Sequence, residues 1–183
     1  MRVITGKYKG RHFDIPRTFK ARPTTDFAKE NIFNVLNGLI DWDGTRALDL
    51  FAGTGSITLE LLSRGCSHVV SIELDYDHHR FITECLKKLD VKECIALKTD
   101  VFRFVKSCHQ QFDLIFADPP YALKELPTIP DLIFSHQLLS DNGIFVFEHG
   151  KDHNFSTHPY FLEQRVYGSV NFTLFRATAK AAG

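Results

Sequence analysis

The sequence predicts an α/β chain: a mostly parallel sheet with helices on both faces. Short apolar runs alternate with amphipathic stretches, the pattern of parallel strands joined by right-handed helical crossovers. One stretch, 47–60 (A-L-D-L-F-A-G-T-G-S-I-T-L-E), reads as strand, glycine turn and helix in immediate succession. Four carboxylates, Asp49, Glu73, Asp100 and Asp118, fall at or just past the ends of predicted strands, the edge at which open α/β sheets bind ligands.

Taken in order, residues 2–5 and 11–15 are strand-like pieces around Gly6 and Gly10 and predict a small hairpin. Residues 17–23 form a basic loop. Thr24 or Thr25 can cap a helix over 26–39, whose apolar face is Phe27, Ile32, Phe33, Val35, Leu36 and Leu39. Residues 47–50 are the first core strand, and Ser56 can cap the helix after the glycine turn. Strands follow at 68–73, 94–97, 112–117 and 143–148, with helices at 75–89, 101–107 and 127–135 between them. Two β-rich runs, 161–167 and 170–176, flank Gly168-Ser169 and predict a closing hairpin that places one strand antiparallel.

The 183 residues suffice for one domain with a substantial core. A hairpin and basic arm at 1–24 then belong to the same domain as the main unit, 25–178. No apolar run approaches the roughly 18 residues that span a bilayer. The N-terminus lacks the apolar core of a signal peptide. Cys66, Cys85, Cys94 and Cys108 show no C-x-x-C pairing and read as reduced thiols of a cytoplasmic protein. The nine histidines show no ligand spacing, so no metal is expected. Net charge is zero, yet residues 1–29 hold eight Lys/Arg against Asp14 and Asp26. A basic arm on an acidic body suits an anionic partner at the N-terminal end.

The glycine turn narrows the ligand. A dinucleotide fingerprint needs a third glycine where Thr58 stands, and no phosphate-loop Gly-Lys-Ser/Thr is present. Asp49, just before the turn, would repel a pyrophosphate and attract an amine or a sulfonium. D-L-F-A-G-T-G resembles the first motif of class I S-adenosylmethionine (AdoMet) methyltransferases. The second motif is Asp118-Pro119-Pro120-Tyr121, directly after F-D-L-I-F-A. Two prolines fix φ and remove two donors, leaving a rigid segment that offers a carboxylate, carbonyls and an aromatic ring. That set suits a planar base with an exocyclic amine.

Together R-V-I-T-G-K-Y-K-G-R, R-P-T-T-D-F-A-K-E-N-I-F-N, D-L-F-A-G-T-G-S-I-T-L-E, D-P-P-Y, F-E-H and Y-G-S-V-N-F-T-L-F resemble the bacterial RsmD family over almost the whole chain. The resemblance implies a Rossmann-like class I methyltransferase with a seven-stranded sheet. It implies AdoMet-dependent methylation of guanine N2 in small-subunit (16S) ribosomal RNA, at the family's position 966. The substrate would be that RNA or the assembling 30S particle, met by a monomer in the cytoplasm. The cofactor set would be Asp49, Phe51, Ala52, Gly53, Thr54, Gly55, Glu73, Asp100 and Val101. Glu73 would take the ribose hydroxyls and Asp100 the adenine amine, although Asp100 also reads as a helix cap. Asp118 and the Pro119 carbonyl would accept the target amine while Tyr121 stacks on the base. Lys7, Lys9, Arg11, Arg17, Lys20 and Arg22 would contact phosphates, and Tyr8 would stack. Arg22-Pro23-Thr24 would also line or lid the cofactor site, and His149 reads as structural or as a substrate-loop contact in preference to a base. Phe27-Ala28-Lys29 departs from the more basic pair usual in the family. Two other readings are a DNA adenine-N6 methyltransferase and a non-catalytic RNA-binding module. A protein-glutamine N5 methyltransferase would carry Asn in place of Asp118.

Overall fold

The structure is a computed structural model that describes residues 1–20 and 23–178. Seven strands form one sheet in the order β3-β2-β1-β4-β5-β7-β6. In chain order these are β1 (Arg46–Leu50), β2 (His68–Glu73), β3 (Cys94–Lys98), β4 (Phe112–Ala117), β5 (Leu139–His149), β6 (Phe161–Tyr167) and β7 (Val170–Arg176). The first five run parallel, and β7 alone runs against them, wedged between β5 and β6. The chain steps outward from β1 to β3, then crosses back to β4. The switch point therefore lies between β1 and β4, where Leu50 pairs with Ala117.

The helices are α1 (Asp26–Asn37), α2 (Ser56–Arg64), α3 (Tyr76–Lys88), α4 (Val101–Ser107) and α5 (Ile129–Ser135). Side chains of β1, β2 and β4 alternate between two cores. Ala47, Val69, Leu114 and Phe116 pack with α1, α2 and α3 on one face. Leu48, Leu50, Ile115 and Ala117 pack with α4 and α5 on the other. This is the two-sided burial that parallel strands require.

Several details differ from the sequence reading. The N-terminal chain reversal forms, but Arg2 and His12 make a single isolated bridge in place of a ladder, because Gly6 and Gly10 both take positive φ and curl the backbone away. The first helix stops at Asn37, where Gly38 caps it. Ser56 does not cap α2. Gly55 occupies that position at φ 83°, and the Ser56 hydroxyl instead accepts from Lys29 Nζ at 2.9 Å. β5 starts at Leu139, ahead of the predicted 143, after a break in its register with β4.

Lys29 is the largest departure. It counted toward the basic arm, yet it is 1% exposed. Its ammonium donates to Arg2 O at 2.8 Å and lies 3.5 Å from Glu60, which is itself fully buried. Glu60 also accepts from Arg64 Nε at 3.0 Å and from the backbone N–H groups of Ile4 (2.8 Å) and Thr5 (3.1 Å). Such a fully bonded charge cluster tolerates burial that an isolated charge would not. It staples the N-terminal arm to α2, the helix that begins at the glycine turn.

Candidate active site

Backbone geometry at the end of β1 creates the site. Phe51, Gly53 and Gly55 adopt φ of 60°, 57° and 83°, so the chain turns away from the sheet in left-handed steps. A Cβ on Gly55 would lie 2.9 Å from Ile82 Cγ1, so α3 packs against the turn at glycine distance. Two bonds fix the loop: Ala52 N–H donates to Ile72 O at 2.9 Å, and Gly53 N–H donates to Glu73 Oε2 at 2.8 Å. On the other side of the switch point, Asp118 N–H donates to Leu50 O at 3.3 Å. The glycine turn and the Asp-Pro-Pro-Tyr segment are thus neighbours across one hydrogen bond.

Both open onto one cavity of about 870 Å³. Asp49, Phe51, Ala52, Gly53, Thr54, Glu73, Asp100 and Val101 line it, as do Asp118, Pro119 and Tyr121. Of the sequence-derived cofactor set only Gly55 stays behind the wall, where it serves the packing of α3. Asp100 caps α4, accepting from Arg103 N–H at 3.0 Å, and lines the cavity as well, so its two readings coexist. Asp75 caps α3, accepting from His78 N–H at 3.0 Å.

Asp49 is 1% exposed, and its Oδ2 accepts from the Thr58 hydroxyl at 2.6 Å. Burial pushes its carboxyl up to about 7; the Thr58 bond opposes this and the nearby Glu73 charge adds to it. Thr58, in the place of a third glycine, is therefore a fully buried strut for Asp49. Asp118 is held well above the usual carboxylate range by burial, then by the charge of Glu148. Glu148, the penultimate residue of β5, lies beside it. Tyr121 Oη donates to Glu148 Oε1 at 2.9 Å, and Thr24 Oγ1 donates to Oε2 at 3.0 Å. Gly150 lets the Tyr121 ring pack closely, since a Cβ there would sit 3.2 Å from its Cδ2. Thr24 and Glu148 line the cavity through bonding that the sequence does not reveal. His149, fully buried, bonds Gly150 O and the Thr173 hydroxyl at 2.8 and 2.7 Å, a structural role.

This acidic basin suits a cation more than a phosphate. Among the described lining residues, Lys20 is the one lysine or arginine. The Thr54 hydroxyl is buried with no partner among the described residues, which leaves it for a polar ligand group. Glu73, at the end of β2, has the position that receives a ribose diol. These features fit an adenosine carrying a sulfonium and an α-amino group. Lys7, Lys9, Arg11, Arg17 and Lys20 are exposed on the N-terminal arm, whereas Tyr8 is half-buried against the core with Lys7 Nζ 5.3 Å from its ring centre. Arg22 lies outside the described residues. No group of His, Cys, Asp and Glu among the described residues is arranged to hold a metal ion. No described helix is long and apolar enough to cross a membrane.

The comparisons agree with this geometry. The family model described as "Conserved hypothetical protein 95" matches residues 1–176. "Putative rRNA methyltransferase YlbH" of Bacillus subtilis (strain 168) is 36% identical over 83% of this chain and 84% of its own length. "Ribosomal RNA small subunit methyltransferase D" of Escherichia coli (strain K12) is 27% identical over 98% of this chain and 91% of its own length. A solved structure, "Putative methyltransferase yhhF from Escherichia coli", superposes with a TM-score of 0.86 at 25% identity, over 98% of this chain and 99% of that one. With the strand order, the glycine turn and the Asp-Pro-Pro-Tyr wall all in place, the chain belongs to the family of conserved hypothetical protein 95, the RsmD family.

Proposed function

We propose that this chain is an AdoMet-dependent ribosomal RNA methyltransferase acting on the exocyclic N2 of a guanine in small-subunit RNA. The observation that carries the reading is the shared cavity. The glycine turn at Gly53 and the acceptor wall at Asp118, Pro119 and Tyr121 face the same space. The names of the family relatives support ribosomal RNA as the substrate class.

AdoMet supplies an electrophilic methyl group on a sulfonium. Glu73 and Asp100 would hold the adenosine, and Asp49 and Thr54 would take the α-amino end. A guanine reaches the wall only when unstacked, which favours a single-stranded or flipped base. The Asp118 carboxyl and the Pro119 carbonyl accept the amine hydrogens, and this aims the nitrogen lone pair into the cavity. Tyr121 presents its ring at the mouth, 44% exposed, where a base can stack on it. Holding both reactants in one orientation can supply roughly 7–11 kcal/mol of the barrier reduction. The basic arm grips phosphates beside the cavity, with Lys20 at its edge. One copy of the chain suffices for this site, and the reaction belongs in the cytoplasm, where subunits assemble.

The test is transfer of labelled methyl from AdoMet to 30S particles from cells lacking the gene, with the modified base mapped by mass spectrometry. Methylation of guanine N2, with position 966 as the family expectation, supports the reading. Label entering adenine N6 in duplex DNA instead would overturn it. Asp118→Ala is expected to reduce transfer at least a hundredfold with AdoMet affinity changed less than about threefold. Equal loss of both would assign Asp118 to cofactor binding.

A further inference from the structure

Glu148 is a polar group without an assigned task. It is 5% exposed, and each of its oxygens is fixed by a hydroxyl, Oε1 by Tyr121 and Oε2 by Thr24. Asp118 lies beside it on the same cavity wall and interacts with it. Two neighbouring carboxyl groups hydrogen-bond to each other only if one carries a proton. Burial raises both carboxyls, but at Glu148 the Tyr121 and Thr24 hydroxyl donors oppose that rise, so Glu148 is the easier of the two to ionise. Asp118, half-buried and facing that charge, is the member that keeps the proton.

We propose that Glu148 is the proton acceptor of the transfer reaction, acting through Asp118. Asp118 holds the amine, and Glu148 takes the proton that the amine sheds. This rests on Asp118 binding the target amine, as argued above. The nitrogen lone pair forms the new N–C bond as the S–C bond breaks and its electron pair stays on sulfur. The nitrogen then bears a positive charge and two hydrogens. One hydrogen passes to the free oxygen of Asp118, whose own proton moves along the hydrogen bond to Glu148. Asp118 ends as it began, neutral. Glu148 ends neutral, and so does the methylated amine. A carboxylic acid passes a proton from one oxygen to the other side in this way without ever becoming charged, which suits a half-buried group beside a buried carboxylate.

The titratable groups facing the pair are Tyr121 from the loop after β4 and Asp49 from β1, with the Thr24 hydroxyl from the segment before α1. His149, next along β5, bonds Gly150 and Thr173 instead. The relay therefore fails when the pair takes up a second proton, so turnover must fall on the acid side.

Glu148→Gln keeps the shape and the acceptor for Tyr121 but cannot take the proton. It is assayed with labelled AdoMet and 30S particles from cells lacking the gene. A kcat lowered about tenfold to a hundredfold is expected, with KM for particles and AdoMet affinity within threefold of wild type. The acid limb of its kcat profile should no longer coincide with that of wild type, because the Glu148 carboxylate whose protonation sets it is gone. Glu148→Asp should recover part of the loss. In the ligand-free protein, carbon NMR of side-chain carboxyls should show a group titrating well above the usual range that reverts toward it in the Gln variant. A wild-type kcat and pH profile in Glu148→Gln would overturn the proposal, and so would a loss matched in AdoMet affinity. If the Gln variant does not fold, Tyr121→Phe removes one donor and must raise the acid limb; an unmoved limb overturns the relay. Full activity in Asp118→Asn, or a product other than N2-methylguanine, would instead sink the base-binding reading on which the relay rests.

Discussion

Asp49→Asn separates the cost of a buried carboxylate from its use. Below the ordinary value of 3.8 the carboxyl is protonated in both the folded and the unfolded chain, and its burial carries no ionisation cost. Between 3.8 and about 7 the unfolded chain ionises while the folded one keeps its proton, so each pH unit removes about 1.4 kcal/mol of stability. Above about 7 the loss is complete, on the order of 4 kcal/mol. About 2.5 kcal/mol of it falls between pH 5 and 7.5. Asn retains an oxygen for the Thr58 hydroxyl, so the change removes the charge and little else. Urea unfolding of the ligand-free protein at several pH values measures the effect. The stability of the variant minus that of wild type should rise by about 2.5 kcal/mol from pH 5 to 7.5, while AdoMet affinity falls at least tenfold at pH 7.5. Taking the difference cancels the other titrating groups common to both proteins. Parallel stability curves would refute the argument that Asp49 is held as a strained, ligand-ready acid.

Two further outcomes are expected. Neutralising Lys7, Lys9 and Arg11 together should weaken RNA binding and reduce the slope of log affinity against log salt by about 2–3; an unchanged slope would remove the arm from the interface. Gly55→Ala, at φ 83° with Ile82 2.9 Å away, should destabilise the protein by roughly 1–3 kcal/mol. It should also weaken AdoMet binding by shifting the turn, whereas an unchanged melting temperature and affinity would show the turn to be more plastic than its packing implies.

The parts of this molecule that follow local rules were readable in the chain. A strand end followed by a glycine turn fixes where Asp49 and Gly53 lie, and the same logic places Glu73, Asp100 and Asp118 on one rim. The caps at Thr25, Asp75 and Asp100 follow from the residues beside them. What escaped depends on contacts between distant segments. Lys29 looks like one more surface lysine until α1 is laid over α2 and Glu60 meets it. Glu148 reads as the tail of an apolar strand. Its meeting with Tyr121, 27 residues away, and with Thr24, 124 away, exists only once β5 lies beside β4. The N-terminal pieces have strand composition, but Gly6 and Gly10 leave room for one bridge only. Ser56 looked like a cap because capping is a sequence-local property, and the buried ammonium that claims its hydroxyl is not.

The Lys29–Glu60–Arg64 knot bears on how the basic arm can be studied. Removing residues 1–5 would leave Glu60 without two of its backbone donors and Lys29 without the Arg2 carbonyl. A truncated protein would therefore be expected to lose order at the start of α2, beside Ser56 and the glycine turn. Deletion experiments would then report cofactor defects as substrate defects. Chimaeras that exchange the arm between relatives should carry the partners of positions 29 and 60 along with it.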